Sequence, residues 1–97
     1  MASRFSNDEI AFQALADSGP DPSVAKLWDF ELGEMRVEAF ETYLSSASHG
    51  EALFAKFLAV VWFGQDRYGL DIAEVATVLD IDARERLAQW IRAPIWP

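Results

Sequence analysis

An apolar run near the middle of the chain constrains the fold more than any other feature. The segment EALFAKFLAVVWF, residues 51–63, has only Lys56 as a charged side chain after Glu51, and it contains neither glycine nor proline. A helix that is apolar on nearly all sides is buried by its neighbours, and this one is shorter than the roughly 18–20 apolar residues that span a bilayer. Gly64 is typical of a left-handed helix end. The run therefore predicts a central core helix.

Other periodic segments predict further helices around this one. Ser6 and Glu9 have the spacing of a capping box, which predicts a helix start, and Asp82 and Glu85 repeat that spacing before the last apolar face. The predicted helices besides the central one span about 6–17, 22–30, 34–47, 72–79 and 82–91. We therefore expect an all-α fold, a compact bundle of five or six helices that forms a single domain over residues 1–97.

Residues 28–37 leave two conformations open. Trp28, Phe30 and Leu32 alternate with polar residues and would line one face of a strand. A short helix over 22–30 is the alternative. We favour the helix, because an isolated hairpin would lack a sheet to join.

Composition narrows the class of protein. The 97 residues are 52% hydrophobic and contain no cysteine, which excludes disulfides and thiolate chemistry and favours a reducing interior. The opening residues lack the apolar stretch of a signal peptide. We therefore expect a cytoplasmic protein of bacterial type that does not associate with a membrane.

The charge weighs against nucleic acid as a partner. The formal net charge is −8 and the pI is near 4.4, so phosphate backbones and anionic membranes repel the chain at long range.

Residues that could perform catalysis do not converge. His49 is the single histidine, and its sequence neighbours are Glu51 and a group of serines that lack the context of an activated nucleophile. The aspartates do not have calcium-loop spacing, and no glycine-rich loop has the pattern of a phosphate site. The sequence therefore predicts no enzyme, no cofactor and no metal.

Acidic residues concentrate in the first half of the chain. Residues 1–50 carry nine acids against three bases, and residues 51–97 carry seven against five. Glu34, Glu38 and Glu41 fall at i, i+4 and i+7, with Glu31 just before them, so a helix would place the first three on one face. This pattern indicates a contact surface for a basic partner or, more commonly, a solvated outer face.

Residues 72–90, IAEVATVLDIDARERLAQW, resemble the helix-turn-helix of bacterial repressors and sigma factors over about a fifth of the chain. Small Ala76 falls in the middle of the first helix, and Val75, Leu79 and Ile81 form an apolar pattern around the turn. The usual turn glycine is replaced by Asp80.

The resemblance implies a DNA reader that uses Arg84, Arg86 and Arg92. The apolar positions of the second helix lie one residue late, and its first turn mixes Asp82 and Glu85 with the arginines. Mixed charge makes a poor phosphate clamp. We therefore favour the interpretation that these residues form a pair of helices that packs within the domain and does not read DNA.

The C-terminal segment IRAPIWP places Ile95 and Trp96 after the last helix. Large apolar residues at a terminus must be covered. We expect them to fold back on their own domain beside the central helix. Docking on a partner, or on a second copy in a homodimer, is the alternative, because tryptophan is enriched at binding hot spots.

Together these patterns predict a small acidic, non-catalytic protein-binding or regulatory factor. Its predicted contact residues are Glu31, Glu34, Glu38, Glu41 and Trp96. A degenerate helix-turn-helix regulator and an acidic nucleic-acid mimic that occupies a DNA-binding protein are the alternatives.

Overall fold

The computed structural model describes residues 7–97 and confirms the predicted all-α fold, with six helices and one small ribbon. Ser6 of the predicted first capping box lies outside the described residues. No helix in the described range is long and apolar enough to cross a membrane. The helices are α1 (Asn7–Asp17), a 3₁₀ helix (Pro22–Leu27), α2 (Val37–Ser46), α3 (His49–Phe63), α4 (Ile72–Val78) and α5 (Ile81–Arg92), and the strands are β1 (Trp28–Asp29) and β2 (Glu34–Met35).

The central helix, α3, forms the core as predicted. Seven of its fifteen residues are buried. It begins at His49 because Ser48 is its N-cap: the Ser48 hydroxyl accepts a hydrogen bond from the Glu51 N–H at 3.2 Å, and the Glu51 carboxylate accepts one from the Ser48 N–H at 3.0 Å. It ends at Gly64, whose φ of 69° gives the predicted left-handed cap.

The predicted helix over 22–30 is wrong beyond Leu27. Residues 28–29 pair antiparallel with 34–35, and Trp28 faces Met35 in this register. Both side chains are buried, and the Arg36 N–H donates to the Leu27 carbonyl at 2.7 Å. Packing of the ribbon against the helices therefore replaces the missing sheet. As a consequence α2 begins only at Val37.

Aromatic rings hold the first half of the chain against α3. Phe12 of α1 lies 5.1 Å from Trp28 and 5.2 Å from Trp62, measured between ring centroids, and Trp28 lies 5.7 Å from Phe40 of α2. The indole N–H of Trp28 has no hydrogen-bond partner among the described residues. That costs about 1–3 kcal/mol, which the surrounding aromatic contacts offset.

A close approach fixes the turn after α1. A Cβ built on Gly19 would lie 2.3 Å from the ring of Phe54, which is buried in α3. Any side chain at this position would collide with the core, so glycine is required here.

The C-terminal helices form a pair with a short turn. Asp71 caps α4 by accepting from the Ala73 N–H, and Asp80 caps α5 by accepting from the Ala83 N–H at 2.8 Å. The predicted N-cap of the last helix at Asp82 is therefore wrong, because α5 begins at Ile81 and its N-cap is Asp80. Ile72, in the first turn of α4, is 66% exposed.

The C-terminal segment folds back on the domain, as expected. The Trp90 indole N–H donates to the Ile95 carbonyl at 3.1 Å, and the Trp96 N–H donates to the Asp8 carboxylate at 3.1 Å. The Trp96 ring meets the Trp90 ring edge-on at 5.3 Å. Trp96 nevertheless remains 56% exposed.

Candidate protein-binding surface

The four predicted glutamates are all exposed, and they come from one continuous stretch of chain. Glu31 lies in the turn of the ribbon, Glu34 in β2, and Glu38 and Glu41 in α2. The prediction that Glu34, Glu38 and Glu41 share a helical face is wrong for Glu34, because the ribbon replaces the first turn of that helix.

Two large apolar side chains are exposed within the same stretch. Leu32, in the turn of the ribbon, is 69% exposed, and Val37, at the start of α2, is 46% exposed. We call six exposed side chains of this stretch the hairpin–α2 surface: Glu31, Leu32, Glu34, Val37, Glu38 and Glu41. Arg36 and Ala39 in the same stretch are exposed as well, and the Arg36 guanidinium pairs with Asp29. Apolar patches rimmed by polar residues occur at interaction sites, so this stretch is the candidate surface.

The turn that carries Leu32 is held by one carboxylate. Oδ1 of Asp29 accepts hydrogen bonds from the N–H groups of Glu31 at 3.0 Å and of Leu32 at 3.1 Å, and its Oδ2 lies 3.6 Å from the Arg36 guanidinium. Gly33 supplies the left-handed conformation of the turn, with φ of 67°. The turn is therefore fixed independently of any partner.

The sequence patterns do not predict this arrangement: they favour a helix, and in the alternative strand Leu32 would share one face with Trp28 and Phe30. The signal lies in the letters DFELG. An aspartate followed within a few residues by glycine marks a turn, since the Asp side chain accepts from N–H groups just ahead of it. Read in this way, the segment predicts that Leu32 lies at the apex.

Five of the seven carboxylates of the second half are engaged in structure, whereas Asp82 and Glu85 are exposed and form no hydrogen bond or ion pair among residues 7–97. Asp66 accepts from the Leu70 N–H at 2.9 Å, Asp71 and Asp80 cap helices, and Glu74 pairs with His49 across α3 and α4. His49 therefore fastens two helices together.

Two carboxylates of the hairpin–α2 surface resemble Asp82 and Glu85 in this respect. Within the described part of the chain, the side chains of Glu34 and Glu38 form no hydrogen bond or ion pair. Glu41 lies beside the Tyr68 hydroxyl: burial raises the pKa of Tyr68, and the Glu41 charge raises it further. Glu34 and Glu38 are thus carboxylates without a structural role.

Behind this surface, α2 is fastened to the 3₁₀ helix. The Tyr43 hydroxyl donates to Oδ2 of Asp21 at 3.0 Å. The Ser23 hydroxyl and the Tyr43 hydroxyl hold the pKa of Asp21 below its usual value, while burial and the Asp21 carboxylate raise the pKa of Tyr43 well above its usual range. The surface therefore rests on an anchored helix.

The arginines of the helix-turn-helix resemblance do not converge. The Arg84 guanidinium donates to the Ala76 carbonyl at 3.3 Å, Arg86 lines a cavity of about 170 Å³ beside Trp90, and Arg92 is exposed in the last turn of α5. Arg84 and Arg86 are two residues apart on a helix, so they point to nearly opposite sides.

The packing that supported this resemblance is also different. Ala76 is exposed rather than placed at a close helix contact, and Ile81 is 66% exposed. The apolar pattern around the turn is therefore only partly a core pattern, although Val75 and Leu79 are buried as expected.

Trp96 lies elsewhere on the molecule. It packs on Trp90 and beside Gly64, and neither residue belongs to the hairpin–α2 surface. The structure thus brings the predicted glutamates into one stretch and leaves the predicted tryptophan outside it.

Metal-ligating side chains do not cluster in the described range: no group of three or more His, Asp or Glu residues there could hold an ion. No protein-family model, curated protein or solved structure matches the chain.

Proposed function

We propose that this chain is a small non-catalytic protein-binding factor that regulates a basic partner protein through the hairpin–α2 surface. The observation that carries the proposal is the pair of carboxylates without a structural role, Glu34 and Glu38, beside the exposed Leu32 and Val37. A partner with Lys or Arg around an apolar patch complements this arrangement. A cysteine-free acidic chain suits a reducing compartment, so we place this contact in the cytoplasm.

Charge gives this contact its speed and selectivity. Complementary charges steer encounter and suppress wrong partners, while exposed ion pairs add only about 0.2–1 kcal/mol each. Burial of apolar groups must therefore supply most of the affinity. In the predicted mechanism Trp96 also contributes to this apolar burial. Its exposed half offers a separate apolar contact to the partner or to a second copy.

A matched pair of charge reversals tests the proposal. The double variant Glu34→Lys/Glu38→Lys and the control Asp82→Lys/Glu85→Lys change the net charge equally, and all four side chains are exposed. Each immobilised chain is incubated with nuclease-treated lysate of its source organism, and bound proteins are quantified by mass spectrometry. We expect the first double variant to bind its partner at least about tenfold more weakly and the control to bind within about twofold. Equal losses in both would show a nonspecific charge effect and contradict the proposal.

Two further arms separate the alternatives. The Trp96→Ala variant reports whether the tail contributes to the same complex. An untreated lysate shows whether the immobilised chain retains nucleic acid. Bound material that disappears with nuclease would favour a DNA reader with Arg84, Arg86 and Arg92 instead. A partner that duplex DNA displaces would favour a nucleic-acid mimic, which is the special case of a basic partner whose surface is a DNA-binding cleft.

A further inference from the structure

We propose that the C-terminal tail, residues 93–97, is an exchangeable arm that docks in the corresponding groove of a second copy of this chain. The proposal rests on the proposed function only where that function gives the exposed half of Trp96 a contact, and of the two occupants named there it takes the second copy. The hairpin–α2 surface takes no part and stays free for its partner.

The tail lies in a groove between α1 and α5. One face of each helix forms a wall: Asp8, Ala11 and Leu15 at i, i+3 and i+7 of α1, and Arg86, Gln89 and Trp90 at i, i+3 and i+4 of α5. A cavity of about 170 Å³ remains between these walls and Ile95 of the tail. The closed tail therefore fills its own groove only in part.

The structure shows what kind of segment covers this groove, namely the chain's own tail. The Trp96 N–H donates to the Asp8 carboxylate at 3.1 Å, and the Ile95 carbonyl accepts from the Trp90 indole N–H at 3.1 Å. The Trp96 ring meets the Trp90 ring edge-on at 5.3 Å. Each contact joins the tail to a side chain of the groove, so the tail of a second copy can make all of them again. A second copy is therefore the partner whose fit is already visible.

The connection between α5 and the tail is short. α5 ends at Arg92, and the Ile95 carbonyl already bonds back to Trp90, so Ala93 and Pro94 make the whole reversal. Pro94 has a fixed φ and no N–H, and a proline restricts the residue before it to extended conformations. Short hinges favour exchange of a terminal element between copies, because opening the hinge preserves the docked contacts while it joins two chains.

The closed tail also leaves apolar surface uncovered. Trp96 is 56% exposed although its ring packs on Trp90. In an exchanged pair the two copies meet at their tails, so the exposed half of each ring comes against the neighbouring copy. The net charge of −8 opposes self-association, but charges of both signs lie at this end. Arg86 and Arg92 form no ion pair among residues 7–97, and Asp8 lies on the opposite wall. These local charges favour pairing of α5 with α1 of the other copy.

Self-association of the purified chain is the first test. Sedimentation equilibrium compares the wild type with Trp96→Ala and with the control Ile72→Ala, which truncates a side chain that is 66% exposed on α4. We expect the wild type to dimerise as its concentration rises, Trp96→Ala to dimerise at least about tenfold more weakly, and Ile72→Ala to stay within about twofold of the wild type. A wild type that is monomeric up to about 1 mM, or equal behaviour of the two variants, would overturn the inference.

A longer hinge separates exchange from a dimer of closed copies. Insertion of Gly-Ser-Gly-Ser between Ala93 and Pro94 keeps every docking residue and lets the tail close on its own copy without a sharp reversal. We expect this variant to keep the helical circular-dichroism spectrum of the wild type and to dimerise at least about tenfold more weakly. Unchanged dimerisation would show that the copies associate without exchanging tails, which contradicts the proposal.

Crosslinking of mixed isotopes shows directly which copy holds the tail. A light chain with a diazirine amino acid in place of Pro97 is mixed with an equal amount of unmodified ¹⁵N-labelled chain, illuminated, and analysed by mass spectrometry. Exchange predicts that light tails capture heavy α1 peptides as often as light ones. Capture of light α1 peptides alone would show that each tail stays on its own copy. In lysate, capture of a foreign protein in place of this chain would assign the tail to that protein; either result would overturn the exchange.

The two proposals fail in different ways. If the Glu34→Lys/Glu38→Lys variant captures its partner like the wild type while the purified chain exchanges tails, the proposed function is wrong and the exchange stands. If charge reversal weakens capture but the purified chain stays monomeric, the proposed function stands and only the exchange is wrong.

Discussion

Carboxylates serve different purposes at the C-terminal helix pair and at the hairpin–α2 surface. In the second half, Asp71 and Asp80 cap helices and Glu74 pairs with His49, so these carboxylates stabilise the fold. In the first half, Glu34 and Glu38 are exposed beside apolar groups and make no such contact among residues 7–97. Net charge alone therefore does not distinguish carboxylates that stabilise the fold from those that do not; the hydrogen bonds of each carboxylate do.

The halves also differ in how they are packed. Phe12 of α1 meets Trp28 of the ribbon and Trp62 of α3, and Phe40 of α2 packs on Trp28. The C-terminal pair is held mainly by small and aliphatic side chains, such as Val75, Leu79 and Leu87, with Trp90 against Phe57 as an aromatic contact. Truncation of a buried side chain should therefore lower the free energy of unfolding more in the first half than in the second.

The largest expected effect tests this difference in packing. Phe12 is fully buried among three aromatic rings, and Leu87 is 7% exposed. We expect Phe12→Ala to lower the free energy of unfolding by about 4 kcal/mol and Leu87→Ala by about 2 kcal/mol. Urea denaturation followed by circular dichroism measures both. A larger loss for Leu87→Ala would reverse the comparison.

An intermediate effect tests the two uses of carboxylates. Asp80→Ala removes the N-cap of α5 and should cost about 1 kcal/mol. Glu38→Ala removes a carboxylate that has no structural partner and should cost no more than about 0.5 kcal/mol, the contribution of its place near a helix N-terminus. Thermal or urea unfolding of both variants gives the answer. Similar losses would mean that Glu38 stabilises the fold after all.

The smallest effect at neutral pH concerns the anchor of α2. The pKa of Tyr43 is raised in the folded chain, so the folded state binds the hydroxyl proton more tightly than the unfolded state does. The stability contributed by this protonated hydroxyl is lost as the pH rises above about 10. The pKa of Asp21 is lowered, so its contribution is lost instead as the pH falls below about 4.

Melting temperatures between pH 7 and 11 test the alkaline part. We expect the wild type to lose stability above about pH 10 and Tyr43→Phe to lose less over the same range. Tyr68→Phe is the control for the second tyrosine, because burial raises the pKa of Tyr68 as well. Parallel curves for the wild type and Tyr43→Phe would contradict the assignment.

Local patterns predicted much of the helical framework. The apolar run gave α3, and Gly64 ends it because a left-handed residue favours glycine. The C-terminal fold-back followed from the need to cover Ile95 and Trp96. In each case the information lies within a few neighbouring residues.

Errors arose where distant residues decide the conformation. The ribbon at Trp28 exists because that side chain enters the core between α1 and α2, which no local pattern encodes. Asp80 caps α5 in place of Asp82, because the helix begins at Ile81 and the Asp80 carboxylate accepts from the Ala83 N–H. The glutamates of the site were visible in the sequence, but the exposure of Leu32 depends on the ribbon and was not.

The hydrogen bond from the Trp96 N–H to the Asp8 carboxylate has a kinetic consequence. It joins residues 88 positions apart along the chain, so its formation closes nearly the whole described chain into a ring. Loop-closure entropy rises with the length of the loop, and contacts between distant residues tend to form late in folding. The tail is therefore expected to dock after the other helices have assembled and to detach before they separate.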